Sequence, residues 1–379
     1  MTGYADLVDP RSLSVRHFAG VLGLVALAAL PFWIQPLLGR GGGILAVVSV
    51  TTALFFAMFA MSWDAVSGYT GQISFGHALF FTVGGYGSAL ANTELGLPPV
   101  AAILLGTALA ALAGVVIGGP ALRLEGPYLS LITLVSPLIL LQLFIVFSDT
   151  FGGELGLPSP EPLLPVGGFF GQAMANFYVA FALFCVVLLV LLAVTRSNAG
   201  SVFTAIREDE AAVAASGLNP AKFKLFAFVL SAAVGGIAGA VFVHTVGKPQ
   251  PSQLLVMTVS IEVIIATIVG GMGTITGAAV GGLFFSLFRE WLSGVEAAVP
   301  GIGVSIASLD LLLFSVVTFA LLFFLPEGVL GWALRRGRTL TNRESASGDA
   351  APDGGRTPLE QVVANYRDAL ARIGGDDDD

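Results

Sequence analysis

The chain has 379 residues, of which 55% are hydrophobic and only 11% charged, with a mean hydropathy of +0.88. That leaves too little polar surface to coat a soluble globule of this length, and the apolar residues come in long runs rather than the alternation of a barrel strand, so the composition puts the chain in a bilayer as helices. The formal net charge of -8 argues against nucleic-acid binding; the single cysteine, Cys185, excludes an intramolecular disulfide and reads as a small buried hydrophobe.

In chain order, apolar stretches of roughly 18 to 25 residues, long enough to span a bilayer as a helix, occur at about ten places. They lie at 18–39, 44–66, 73–92, 97–119, 128–150, 174–195, 225–246, 253–271, 274–292 and 303–325. The first follows Arg11, Arg16 and His17, is too long for a signal-peptide core and lacks a small-residue cleavage site, so it is expected to remain as an anchor behind a cytoplasmic segment, 1–17. The third and ninth are glycine-rich and are candidates for short, broken or re-entrant spans. With the N-terminus cytoplasmic, Arg123, the long loop carrying Arg196, Arg207, Lys222 and Lys224, and Arg335, Arg336 and Arg338 all fall inside, which leaves Arg40, Lys248 and Arg289 for the opposite side. Ten spans with both termini cytoplasmic satisfy this distribution. The expected architecture is therefore an all-α, polytopic transmembrane helical bundle over 18–334. A cytoplasmic tail, 335–379, reads as a disordered linker, a short amphipathic helix with Leu359, Val362, Val363, Tyr366 and Leu370 on one face, and an acidic end.

Several features interrupt the apolar pattern. In GYTGQISFGH, residues 68–77, Gly68, Gly71 and Gly76 loosen a helix, and backbone groups freed there are tolerated only where protein or water surrounds them. Tyr69, Gln72, Ser74 and His77 would then line either a translocation path or a helix contact; a lone histidine such as His77, with no metal cluster beside it, is more often a packing residue. Glu262 falls inside the eighth span, where an ionised side chain needs a cavity or a partner. It has two readings, a pathway residue or a structural glutamate held between helices, and the second is preferred. Asp64, Asp310 and the neighbours Arg289 and Glu290 fall near predicted span ends and read as interfacial. Glycines four residues apart, Gly114 and Gly118, Gly235 and Gly239, and Gly273, Gly277 and Gly281, read as tight helix contacts. The hexapeptides VGGYGS at 83–88 and VGGMGT at 269–274 match closely and make an inverted repeat a candidate.

The sizeable polar loop, 196–224, carries clear helix signals. Val202, Ile206 and Val213 share a face, Asp209 is placed to cap, Gly217 to end a helix in a left-handed conformation, and Asn219 with Pro220 to start the next. Such an element suits docking into a groove of a soluble partner. Ala211, Ala212, Ala214 and Ala215 permit close approach, and Arg207, Glu208, Asp209 and Glu210 offer charge pairing at the rim. Periodicity alone leaves docking and an ordinary solvated helix about even.

The stretch AIREDEAAVAASGLNPAKFKLFAFVLSAAVGGIAGA, residues 205–240, resembles the coupling loop of the branched-chain amino acid permease family of ABC importers. Residues 67–90, 118–134, 260–282 and 324–331 are similar to stretches of that family in the same order, together covering most of 50–335. Two departures are visible: Val213 and Ala214 replace what is often Ala and Glu, and 136–160 is only loosely similar.

The resemblance implies a permease subunit in the cell membrane that moves branched-chain or related amino acids. Ile206, Arg207, Glu208, Asp209, Glu210, Ala211, Ala212 and Gly217 would make the ATPase contact. It also implies ABC ATPase subunits, a second homologous permease chain, an external substrate-binding protein and surrounding lipid as partners. No GxxxxGK[ST] phosphate loop occurs, since Gly247 and Lys248 are followed by Pro249, so no cofactor is expected in this chain and ATP with Mg would be bound by the partner ATPase. Two alternatives stay open: a urea or short-amide permease of the same family, and an ion-coupled secondary transporter using Glu262.

Overall fold

The computed structural model describes residues 15–122, 128–255 and 257–294, together with 315, 316 and 319, all within the larger of two compact units, Met1–Ala333. The tail, Asp310, Arg123 and nearly all of the predicted tenth span lie outside the described residues. The described elements are helical. They are α1 (Val15–Ala28), α2 (Leu30–Trp63, kinked at Gly39) continued by a widened π-turn (Asp64–Gly68), α3 (His77–Thr93), α4 (Pro99–Ala121), α5 (Tyr128–Val146), α6 (Ser148–Phe151), α7 (Phe169–Thr195), α8 (Asn198–Glu208), α9 (Glu210–Ala215), α10 (Pro220–Val243), α11 (Pro251–Leu254), α12 (Met257–Gly271) and α13 (Ile275–Ser293).

Five of these segments are long and apolar enough to cross a membrane: Gly41–Gly68, Pro99–Ala121, Tyr128–Val146, Phe169–Thr195 and Pro220–Val243. Two bent pairs raise the number to at most seven among the described residues: Gly20–Ala28 with Leu30–Gly39, bent by 58°, and Met257–Gly271 with Ile275–Ser293, bent by 120°. Fewer spans than the ten or so expected are thus seen among the described residues, and the local causes are visible. The predicted first span is interrupted at Ala29. The third begins only at His77 and keeps 17 residues, because 71–76 has left the helix. The eighth keeps 15. Of the third and ninth spans, expected to be short, broken or re-entrant, α3 is short and continuous, and α13 is continuous with the 120° bend just before it in the turn 272–274.

Packing explains the glycine content. Apolar burial drives little association between helices surrounded by lipid, so close backbone approach through small residues carries it. Helices α3, α4 and α10 meet this way. A Cβ on Gly84 would overlap the Gly236 carbonyl, one on Gly239 the Phe81 carbonyl, and one on Gly114 would come within 2.6 Å of the Ala232 methyl. On the other side α2 packs against α7 and α13, with a Cβ on Gly282 reaching to 2.6 Å from the Ala57 Cα. Gly118, Gly277 and Gly281 make tight contacts as expected, whereas Gly235 has only ordinary ones and Gly273 belongs to a turn with φ +79. The two matching hexapeptides also differ in backbone: VGGYGS lies within α3, while VGGMGT ends α12 and forms the turn that follows, so the sequence match is not a conformational one.

Candidate functional site

The charged loop folds as the local rules dictate. Gly200 closes against the Thr195 carbonyl so that α8 turns back directly after α7. Extended backbone at Asp209 (φ -156) ends α8, and the Asp209 carboxylate caps α9 by accepting the Ala212 N–H at 2.9 Å. Gly217, at φ +87, reverses the chain after α9, and Asn219 Oδ1 accepts the Lys222 N–H at 3.3 Å with Pro220 opening α10. The inward face of the element is Phe203, Ile206 and Val213, all buried, while Ala211, Ala212, Ala214, Ala215 and Leu218 stand exposed.

The charges in this loop, expected to offer pairing at the rim, are exposed and also engaged within the chain. Arg207 Nη1 donates to the Gly68 carbonyl at 2.8 Å, and its Nη2 reaches Glu208 Oε1 at 3.2 Å. Glu210 accepts from Lys224 Nζ at 2.6 Å, a lysine whose side chain is only 6% exposed. Asp209 is a cap, and Glu208 has a side chain 70% exposed. Of the two departures from the family pattern, Val213 faces inward and Ala214 outward.

The Gly68 carbonyl is available to Arg207 for a physical reason. A helix leaves its last carbonyls without partners, and the negative end of its dipole favours a cation there. Here the helix ends as Gly71 turns to φ +73, with Gly71 N–H bonded to the Ser67 carbonyl at 3.2 Å. Beside this end lies Asp64, read from the sequence as interfacial but wholly buried in the fold. Its Oδ1 accepts the Gly273 N–H at 2.7 Å, and its Oδ2 has no hydrogen-bond partner among the described residues. Asp64 is the residue of this junction that sequence reasoning missed; the available signal was a carboxylate directly before a glycine-broken helix end.

Of the residues proposed to line a path, Gln72 and Ser74 lie on the stretch 71–76 that leaves the helix, Tyr69 on the helical end before it and His77 at the start of α3. The backbone of that stretch is satisfied by side chains. Trp63 Nε1 donates to the Ser74 carbonyl at 2.7 Å, Ser67 Oγ to the Gln72 carbonyl at 3.0 Å and Ser130 Oγ to the Ile73 carbonyl at 2.7 Å, while Phe75 N–H finds Thr133 Oγ1 at 3.1 Å. This meets the requirement that irregular backbone inside a bilayer be covered by protein. His77 is fully buried, with Nε2 2.5 Å from Ser231 Oγ and Nδ1 3.3 Å from Ser74 Oγ; Ser231 in turn donates to the Ser62 carbonyl. Tyr69 and Gln72 are half-buried.

Glu262 lies elsewhere, on α12, and accepts from Arg289 Nη1 at 2.6 Å. An isolated charge at bilayer depth costs about 2.5–3.5 kcal/mol or more, so a partner is what its position requires. Arg289 and Glu290 therefore do not pair with each other as neighbours: Glu290 accepts from Ser49 Oγ at 2.5 Å. A cavity of about 190 Å3 between α2, α7 and the end of α10 is lined by Thr51, Gln172, Asn176 and Thr245, and none of the residues proposed for a path lines it. Among the described residues no group of three or more His, Cys, Asp or Glu could hold a metal ion.

A multi-pass helical membrane protein with a compact charged helix pair on one end is the class these features define. The chain belongs to the family described as branched-chain amino acid transport system / permease component, whose pattern it matches over residues 45–326. It is 28% identical over 306 residues to the high-affinity branched-chain amino acid transport system permease protein LivM of Escherichia coli, covering 75% of this chain and 70% of that one. It is 27% identical over 305 residues to the corresponding protein BraD of Pseudomonas aeruginosa, covering 75% and 94%. To LivH of Escherichia coli it is 26% identical over 298 residues, covering 74% and 93%. No solved structure matches.

Proposed function

We propose that the chain is the membrane-spanning permease subunit of an ABC importer for branched-chain or related amino acids. Separate ATPase subunits bind ATP and Mg and drive it, a second homologous permease completes the membrane core, an external binding protein delivers the substrate, and both termini are cytoplasmic. The observation that carries this reading is the α8–α9 element, capped at both turns, buried on one face and presenting Ala211, Ala212, Ala214, Ala215 and Leu218 on the other. Small exposed side chains flanked by a solvated Glu208 suit insertion into a groove on a soluble protein, where larger ones would hold the surfaces apart.

Family membership and the substrates in the relatives' names support branched-chain amino acids over urea or short amides. The ion pair between Glu262 and Arg289 supports a structural glutamate over an ion-coupling site, because the carboxylate already has a cationic partner within the chain. Reconstitution with the ATPase subunits and binding protein in lipid vesicles tests the reading: leucine uptake is expected to require ATP and to leave urea behind. Uptake driven by an ion gradient without any ATPase, and abolished by Glu262→Gln, would contradict it.

A further inference from the structure

We propose that Arg207 and Asp64 are positioning residues that tie the α8–α9 element to two membrane-embedded units at once, to α2 through Gly68 and to the α12–α13 pair through Gly273. The proposal rests on the importer reading above and deepens it by naming how movement of the loop would enter the membrane. Helix α8 packs on α7 and α10, and its reach to the end of α2 is made by the long side chain of Arg207. At the tip of that side chain three segments distant in sequence converge: Nη1 is 2.8 Å from the Gly68 carbonyl, and a Cβ placed on Gly273 would lie 2.8 Å from the same nitrogen. A Cβ on Gly71 would lie 3.1 Å from Arg207 Cγ.

The slot is thus walled by glycines where any side chain would press on the guanidinium or its stem. A Cβ on Gly68 would overlap the Asp64 carboxylate, so that contact needs a glycine as well. The second tie runs from Asp64 Oδ1 to the Gly273 N–H, joining the π-turn of α2 to the turn that reverses the chain between α12 and α13. One cation on the loop and one buried carboxylate on α2 therefore hold three elements at a single point.

The charges suit a joint that changes state. Arg207 carries five N–H donors and uses one on Gly68 and one on Glu208 in this arrangement. Asp64 Oδ2 is buried and without a hydrogen-bond partner among the described residues, which is costly unless some state of the protein uses it. It gives the guanidinium a second acceptor to turn to when α8 is displaced. The bond from a charged group to a carbonyl is strong enough to pull a helix end and weak enough to exchange, unlike the backbone packing of α3 on α10.

The test is uptake per ATP hydrolysed, measured on the complete chain reconstituted with its ATPase subunits and binding protein, for Arg207→Ala, Arg207→Lys and Asp64→Ala. ATPase assembly and turnover are expected to persist in Asp64→Ala, whose site is buried away from the exposed face of the loop, and the Arg207 variants are compared by the same ratio in the complexes they form. Uptake per ATP is expected to fall about tenfold for Arg207→Ala and Asp64→Ala, the effect of losing one charged hydrogen bond, with partial recovery in Arg207→Lys, which keeps the charge and loses the fork. An unchanged ratio in Arg207→Ala and Asp64→Ala would overturn the proposal. So would loss of ATPase association in Arg207→Ala, which would make Arg207 a direct partner contact, or a fall of turnover and uptake in equal proportion, which would make both residues merely structural. Should one variant fail to assemble in the membrane, the other carries the same comparison. If the unmodified chain binds no ATPase, it is the importer reading that fails, whatever the variants do.

Discussion

Where α3, α4 and α10 meet, backbone lies on backbone, with Gly84 against Gly236, Gly239 against Phe81 and Gly114 against Ala232. Where α2, α8 and the α12–α13 turn meet, contact is made by one guanidinium and one carboxylate, through Gly68 and Gly273. The first junction has no freedom to slide, since any shift opens a void or forces overlap, and packed interiors respond to such shifts discontinuously. The second can exchange one acceptor for another at modest cost. A permease needs both kinds of joint: a unit that moves as a rigid body and a point at which an outside force is applied to it.

Substitutions that attack the packed junction should be the most damaging. Gly239→Leu forces a side chain into the Phe81 carbonyl and is expected to cost about 3 kcal/mol or more, visible as loss of monodisperse protein in detergent. Next comes the polar network that fastens α10 to α2 and α3 inside the bundle. Ser231→Ala strips His77 Nε2 of its partner and should cost about 1–3 kcal/mol, read as a lowered Tm with ATPase binding intact.

The charged loop should tolerate more. Gly217→Ala meets open space and suffers only from its backbone conformation, about 1–2 kcal/mol, appearing as faster amide exchange in α9 without a change in the global Tm. Asp209→Ala removes one cap and should cost about 1 kcal/mol in the same local readout. If the loop variants lowered the global Tm as much as Gly239→Leu does, the contrast between the two junctions would be wrong.

The loop was the most legible part of the sequence. Asp209, Gly217, Asn219 and Pro220 act on neighbours within a few residues, so type and spacing were enough to place both caps and the reversal. The destination of Arg207 was not legible, because Gly68 lies 139 residues away, nor was the burial of Asp64, whose partner Gly273 is 209 residues away. Hydropathy marks apolar segments but is blind to where the backbone departs from helix. It therefore counted residues 73–76 into the third span although Ser67, Trp63, Ser130 and Thr133 hold 72–75 in a non-helical path. The glycine spacing foretold close packing at Gly114, Gly118 and Gly239, and misassigned Gly273, where the same residue type serves a turn.

The central claim is that the exposed face of α9 receives an ATPase, and Ala212→Arg tests it most directly because Ala212 is exposed and its side chain supports nothing inside the fold. Co-purification of the ATPase subunits with the tagged chain should be lost in this variant while the membrane part stays folded and monodisperse. Undiminished co-purification would contradict the account.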